Sequence, residues 1–115
     1  MDKIYCGLRS TVDSPGGQSC YVTVRLPRHK RQYKLKHHVL HSPDGFNWGY
    51  GGSGPAELAR CMLIDFFEGN ERKADIYYQD FKWKFIAPIQ KDSFVITSFQ
   101  IEVWLKIQRK EKFIQ

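Results

Sequence analysis

Acidic side chains are absent from a long part of the N-terminal half of this 115-residue sequence. No Asp or Glu occurs between Asp13 and Asp44, although the whole chain carries 12 acidic residues. The gap contains all four histidines and six Lys or Arg residues, namely Arg25, Arg28, Lys30, Arg31, Lys34 and Lys36. With a formal net charge of +6, the sequence therefore predicts a basic surface in its N-terminal half.

Long apolar runs and paired cysteines are also lacking. No hydrophobic stretch approaches the roughly 18 residues that span a bilayer, and Met1–Ile4 lacks the pattern of a signal peptide. Cys6, Cys20 and Cys61 show no paired spacing, which favours reduced thiols. We therefore expect a cytoplasmic protein with no membrane contact and a single domain over residues 1–115.

Alternating apolar residues predict a small antiparallel sheet at the N-terminal end. The strand patterns cover Lys3–Arg9, Cys20–Leu26 and Gln32–Val39. A Ser-Pro-Gly-Gly turn at 14–17 separates the first two. We interpret the second and third strands as a hairpin, whose exposed lysines would protect a sheet edge from pairing with other chains.

Helical periodicity follows the sheet. A first helix is predicted from about Pro55 to Glu68, with apolar residues on one face and a stop at Gly69-Asn70. A second helix is predicted from near Ala74 to a point before Pro88. The end of this second segment also fits a strand.

A third helix is predicted from its start signal. Phe94–Ile96 forms a short extended lead-in, Thr97 fits the N-cap position, and Gln100 completes a capping box. The predicted fold is therefore α+β, with a three-stranded antiparallel sheet packed against about three helices.

A glycine-rich stretch lies directly before the first helix. Glycine permits positive φ angles, and free N–H groups at a helix start attract anions. We predict a binding loop formed by Trp48, Gly49, Tyr50, Gly51, Gly52, Ser53 and Gly54. In the alternative, the loop only wraps the core and the rings of Phe46, Trp48 and Tyr50 point inward.

The run from His41 to Ala59, HSPDGFNWGYGGSGPAELA, resembles a small domain of unknown function, DUF6166. The similarity continues through Tyr78–Lys84 and Thr97–Leu105. The resemblance implies a short β segment at the start and a source in bacteria, archaea, phages or other mobile elements. It implies no catalytic residues, and Arg25–His38 lies outside the recognised part.

The glycine-rich stretch can be compared with two nucleotide-binding motifs. Gly49-x-Gly51-x-x-Gly54 matches the dinucleotide fingerprint literally. That fingerprint needs a buried strand before the glycines, and the Pro- and Gly-containing segment 42–47 cannot form one. No Gly-Lys-Ser/Thr ends the loop, which argues against a Walker-type phosphate loop.

A hydrolytic triad and a metal site are also disfavoured. His41, Asp44 and Ser53 lack the nucleophile elbow, because Pro55 stands where its final glycine should be. The neighbouring histidines 37 and 38 point to opposite faces of a strand, and no Cys-x-x-Cys supports zinc. The sequence therefore predicts no catalytic residues, no metal and no other cofactor.

These observations predict a small non-enzymatic binding protein, an accessory factor of a phage or mobile element. Its partner would be a host macromolecule such as a defence or nucleic-acid-handling protein. The alternative is a DNA- or RNA-binding module that uses the basic hairpin, with Arg25, Arg28, Lys30, Arg31, Lys34 and Lys36 in contact with phosphates. The oligomeric state is left open.

Overall fold

The computed structural model describes residues 2–10, 19–43 and 45–114, with no side-chain description beyond residue 108. This part of the chain forms an α+β fold, as predicted. Its elements are strands β1 (Ile4–Arg9), β2 (Cys20–Leu26), β3 (Arg31–Lys34) and β4 (Ser93–Thr97), and helices α1 (Ser53–Phe66), α2 (Glu71–Phe81) and α3 (Ser98–Ile114). The predicted turn at residues 14–17 and the residue Asp44 lie outside the described residues.

The described sheet has four antiparallel strands in the order β3-β2-β1-β4, so the prediction of three strands is wrong. The predicted lead-in at Phe94–Ile96 is the middle of β4, which pairs with β1 and places Ile4 opposite Thr97. Local patterning did not reveal this strand, because β4 is only five residues long and its partner lies near the other end of the sequence.

Strand β3 ends at Lys34 and not at the predicted Val39. The Leu35 N–H still bonds the Val22 carbonyl across the hairpin at 2.9 Å. Beyond this point the chain leaves the sheet and crosses onto α1, where the Glu57 carboxylate accepts backbone N–H groups of residues 40–42. The competing acceptor explains the early end of the strand.

Helix α1 occupies the centre of the fold. Every residue from Gly54 to Ile64 is buried, so the helix has no solvent face over most of its length. The sequence predicted an amphipathic helix with apolar residues on one face, and the helix also contains the charged residues Glu57 and Arg60. Both side chains are buried, and each has a partner. The Glu57 carboxylate accepts backbone N–H groups and the Arg60 guanidinium bonds Asp75, so neither charge is buried unpaired.

Helix α2 begins three residues earlier than predicted, at Glu71. Asn70 is its N-cap and accepts the Lys73 N–H at 3.1 Å. The first turn is polar, whereas the prediction was based on the apolar residues that begin at Ala74. The helix continues into a π-helical turn at Lys82–Ile86, closed by the Ala87 N–H bonded to the Lys82 carbonyl. The predicted end before Pro88 is confirmed, and the strand alternative is not observed.

The capping box at the start of α3 is confirmed. The Gln100 N–H donates to the Thr97 hydroxyl at 3.2 Å, and the Thr97 N–H donates to the Gln100 side-chain oxygen at 2.8 Å. These bonds satisfy free donors at the junction of β4 and α3. In the part of the chain described, no helix is both long and apolar enough to cross a membrane.

Candidate binding surfaces

One face of the sheet is open to solvent in the described structure. Side chains on the other face, such as Tyr5, Val24 and Ile96, belong to the core. By strand register, the residues opposite to them are Ile4, Cys6, Leu8, Tyr21, Thr23, Arg25, Gln32, Lys34, Ser93, Val95 and Thr97, which we call the open face. None of these residues is acidic.

Apolar side chains stand exposed at the centre of the open face. Leu8 and Tyr21 are cross-strand partners with 60% and 55% of their surface exposed, and Val95 is 64% exposed. A shallow groove of about 360 Å³ runs over this part of the face and reaches Arg25. Exposed aromatic and aliphatic side chains grouped in this way mark surfaces that contact other molecules.

A second groove lies at the β2–β3 turn, next to the open face. It has a volume of about 400 Å³, and we call it the turn groove. Its charged lining residues are Arg25, Lys30 and Arg31, and it has no acidic lining residue. Arg25 lines both grooves, so the two surfaces are continuous.

The other basic residues of the hairpin lie around these grooves. Lys34 belongs to the open face, and Lys36 is exposed just beyond β3. Arg28 pairs with Asp2 at 3.1 Å, and both side chains are well exposed. Within the described residues, Arg25, Lys30 and Arg31 form no ion pair, which leaves their charge uncompensated.

The hairpin is not a free ribbon. Strand β2 pairs with β3 on one side and with β1 on the other, so it is an interior strand of the sheet. The hairpin is therefore part of the four-stranded sheet, and its contact with nucleic acid remains a proposal.

The predicted binding loop has one buried end and one exposed end. Trp48 is only 1% exposed, and its indole N–H donates to the Lys91 carbonyl at 2.9 Å. The Arg9 guanidinium lies 5.0 Å from the ring centroid and bonds the Trp48 carbonyl. Gly49, Tyr50, Gly51 and Ser53 are exposed, whereas Gly52 is partly and Gly54 fully buried. Trp48 therefore acts as a core anchor.

The glycines of the loop make room for aromatic rings. A Cβ atom at Gly51 would lie 2.3 Å from the Trp83 ring, and one at Gly52 would lie 2.6 Å from the Tyr50 ring. The Gly49 N–H donates to the Ile86 carbonyl in the π-helical turn at 3.1 Å. These contacts support the alternative in which the loop wraps the core, although Tyr50 is half exposed and does not point fully inward.

Gly49 provides a test of this packing. Its φ is +90°, and a Cβ atom there would lie 2.7 Å from the Ile89 carbonyl oxygen. Gly69 has nearly the same φ, +91°, but nothing within 4 Å of such an atom. Both Gly→Ala variants should lose stability from backbone strain, and G49A should lose about 1–3 kcal/mol more because of overpacking. Urea unfolding of the two variants measures the difference, and equal losses would contradict the close contact.

Glu57 holds the segment that follows β3. The side chain is fully buried, and its carboxylate accepts the N–H groups of Leu40, His41 and Ser42 at 3.0–3.1 Å. The His37 ring nitrogen lies 2.9 Å from it. Burial alone would raise the pKa of Glu57, but the hydrogen bonds outweigh burial and lower the pKa to about 2. The carboxylate therefore acts as a structural hydrogen-bond acceptor, and its oxygens are already bonded to donors within the protein.

His41 and Ser53, which were weighed for catalysis, occupy structural positions. His41 contacts the Tyr78 hydroxyl at 2.8 Å and stacks on its ring, while Ser53 opens α1. Burial raises the pKa of the Cys61 thiol to about 11, which keeps it protonated. Among the described residues, no cluster of three His, Cys, Asp or Glu side chains could hold a metal ion.

A second polar cluster, centred on Asp65, was not predicted from the sequence. Asp65 accepts the hydroxyls of Tyr5 and Tyr33 at 2.7 and 2.6 Å and the Lys3 ammonium at 3.0 Å. It ties the end of α1 to β1, to β3 and to Lys3 just before β1. The sequence signal was present, since an acid within a predicted core helix requires partners, but no local spacing identifies Lys3, Tyr5 and Tyr33 as those partners.

The fold and these surfaces define a small α+β protein with an open, acid-free sheet face and a basic turn groove. A scan of protein-family models matches residues 5–107 to the family of unknown function DUF6166. Because this match covers most of the sequence, the chain belongs to that family, in agreement with the resemblance of its Gly- and aromatic-rich motif. Searches of curated proteins and of solved structures find no match.

Proposed function

We propose that this chain is a small non-enzymatic binding protein that docks on another macromolecule through its open face and turn groove. The observation that carries the proposal is the open face itself. It combines exposed Leu8, Tyr21 and Val95 with Arg25 and Lys34. Single exposed apolar residues are normal on any protein surface, whereas apolar side chains grouped on one face are more typical of a contact surface.

The interior of the described structure supports a binding role over a catalytic one. Glu57 is saturated by backbone donors, and the Asp65 carboxylate is held by two tyrosines and a lysine. General acid–base catalysis needs a titratable group whose pKa lies near the working pH and which faces a substrate. Both carboxylates instead stabilise the fold.

The biological setting follows from the family resemblance. We propose that the protein acts in the cytoplasm of a bacterial or archaeal cell as an accessory factor of a phage or mobile element. The partner would be a host protein that handles nucleic acid or takes part in defence. Genes next to members of this family test the setting, because prophage or plasmid neighbours are expected and a steady housekeeping context would oppose it.

Direct binding to nucleic acid is the second candidate. The turn groove favours it, because Arg25, Lys30 and Arg31 line a groove without an acidic side chain. Phosphate groups are the ligands that such a cluster of cations attracts most strongly.

Site-specific photo-crosslinking tests the proposed surface. A photoreactive amino acid is placed at Thr23 on the open face and, in a control variant, at exposed Lys84 in the π-helical turn. The proposal predicts a discrete adduct in host cells from position 23 alone, and R25E should weaken it. Nuclease or protease digestion of the adduct then identifies the partner class. Equal adducts at both positions, or none at position 23, would reject the surface.

A further inference from the structure

We propose that the open face and the turn groove together bind single-stranded nucleic acid, with phosphates in the turn groove and a base on Tyr21. This inference rests on the docking surface proposed above and develops its second candidate partner, nucleic acid. Charge, exposed aromatic surface and the width of the sheet support it.

Charge complementarity selects a polyanion. Arg25, Lys30 and Arg31 line the turn groove, and Lys34 extends the same charge along the open face. The open face has no acid, and Arg28 in the β2–β3 connection is paired with Asp2. A chain of phosphates can meet several of these cations at once, which gives affinity that falls steeply with salt.

The exposed rings and aliphatic groups select unstacked bases. Tyr21 is 55% exposed on a rigid interior strand, and its cross-strand neighbour Leu8 is 60% exposed beside it. Base stacking on an aromatic side chain is tolerant of sequence, because every base has a flat face. Bases inside a duplex are already stacked and offer no such face.

The geometry of the sheet disfavours a duplex. Three strand spacings of roughly 4.8 Å make the face about 14 Å wide between the axes of its outer strands. The major groove of DNA is about 12 Å wide, so the sheet cannot enter it. A single strand can instead lie along β2, where Tyr21 and Arg25 point to the same face and are four residues apart.

Fluorescence anisotropy with labelled oligonucleotides tests the inference. Short oligothymidine and oligouridine are titrated with the intact protein over a range of salt, beside a duplex of the same length. We expect binding at low salt and a slope of log affinity against log salt of roughly −2, from three phosphate contacts. The duplex should bind at least about tenfold more weakly than the single strands.

Variants with matched controls separate the two kinds of contact. Y21A should weaken binding about tenfold at every salt concentration, and Y21F should restore it. R25E should weaken binding by a similar factor and make the salt dependence shallower. The controls are Trp83→Ala and Lys84→Glu, both at exposed positions of the π-helical turn outside the proposed path, and both should bind like the unaltered protein.

An amide chemical-shift titration provides a test that needs no variant. Oligothymidine should perturb β1, β2 and the β2–β3 turn and leave α2 unchanged. Absence of binding at low salt, equal binding of the duplex, or full affinity in Y21A would overturn the inference. If the crosslink at position 23 then captures a protein, the proposed binding function stands without it. If position 23 captures nothing, both fail.

Discussion

Replacing Glu57 with Ala should lower the free energy of unfolding by about 3–5 kcal/mol, one of the largest losses expected for a single side chain here. The carboxylate is fully buried and accepts backbone N–H groups from Leu40, His41 and Ser42. Without it these donors lose their shared acceptor, and the segment after β3 loses its attachment to α1. Urea unfolding followed by far-ultraviolet circular dichroism measures the loss.

An isosteric variant separates charge from volume. Glu57→Gln keeps the shape of the side chain but presents an NH₂ group to donors, so we expect a loss of about 3 kcal/mol. Glu102→Gln, at an exposed position of α3, is the matched control and should change stability by less than about 0.5 kcal/mol. A Glu57→Gln variant as stable as the unaltered protein at pH 7 would contradict the structural role.

The pH dependence of this difference gives an independent check. Glu57 has a folded-state pKa of about 2 against an ordinary value of 4.5, so the unfolded chain takes up its proton first as the pH falls. The stabilisation is therefore complete above about pH 5 and declines by roughly 3 kcal/mol as the pH falls toward about 2. The stability curves of the unaltered protein and Glu57→Gln should converge over this interval. Parallel curves would rule out a lowered pKa.

Replacing Trp48 with Ala should cost about 3–5 kcal/mol. The ring is buried, meets the edge of Phe94 with centroids 4.9 Å apart, and lies beneath the Arg9 guanidinium. Its indole N–H also donates to the Lys91 carbonyl. The substitution removes a large apolar volume, leaves the Lys91 carbonyl without the indole donor and removes the ring beneath Arg9. The start of the glycine loop and the segment that leads into β4 should therefore loosen together.

Trp83 supplies the matched control for this prediction. It is the same residue type but 58% exposed, so Trp83→Ala should cost at most about 1 kcal/mol. Trp48→Phe should retain most of the packing and lose mainly the hydrogen bond, for about 1 kcal/mol. Thermal and urea unfolding of the three variants rank the costs, and similar losses for Trp48→Ala and Trp83→Ala would contradict the buried anchor.

Local patterns revealed most of the elements but not their partners. The limits of β2 match its alternation of β-branched and polar residues, and the Thr97 capping box follows from a four-residue signal. Strand β4 and the early end of β3 were missed, because both depend on contacts with distant parts of the chain. A five-residue strand carries little information until its neighbour is known.

The candidate surfaces were only partly predictable for the same reason, because they depend on contacts between distant parts of the chain. The sequence indicated basic residues in the hairpin, and the structure adds that Arg25 shares a face with Tyr21 and Leu8. Leu8 and Tyr21 become neighbours only through the β1–β2 register, so no spacing in the sequence pairs them. Glu57 lies near the start of the helix in the sequence, but its buried position and its donors from residues 40–42 depend on the path of the chain after β3.

The pairing of β1 with β4 has a consequence for biosynthesis. During translation β1 and β2 are synthesised well before Ser93–Thr97, which follows β3 and two helices in the chain. Until then one edge of β1 has unpaired N–H and C=O groups, and the ring of Phe94 is not yet present to cover Gly7. The nascent chain is therefore most vulnerable to aggregation just before its last strand appears, and slower synthesis over this interval should raise its demand for chaperones.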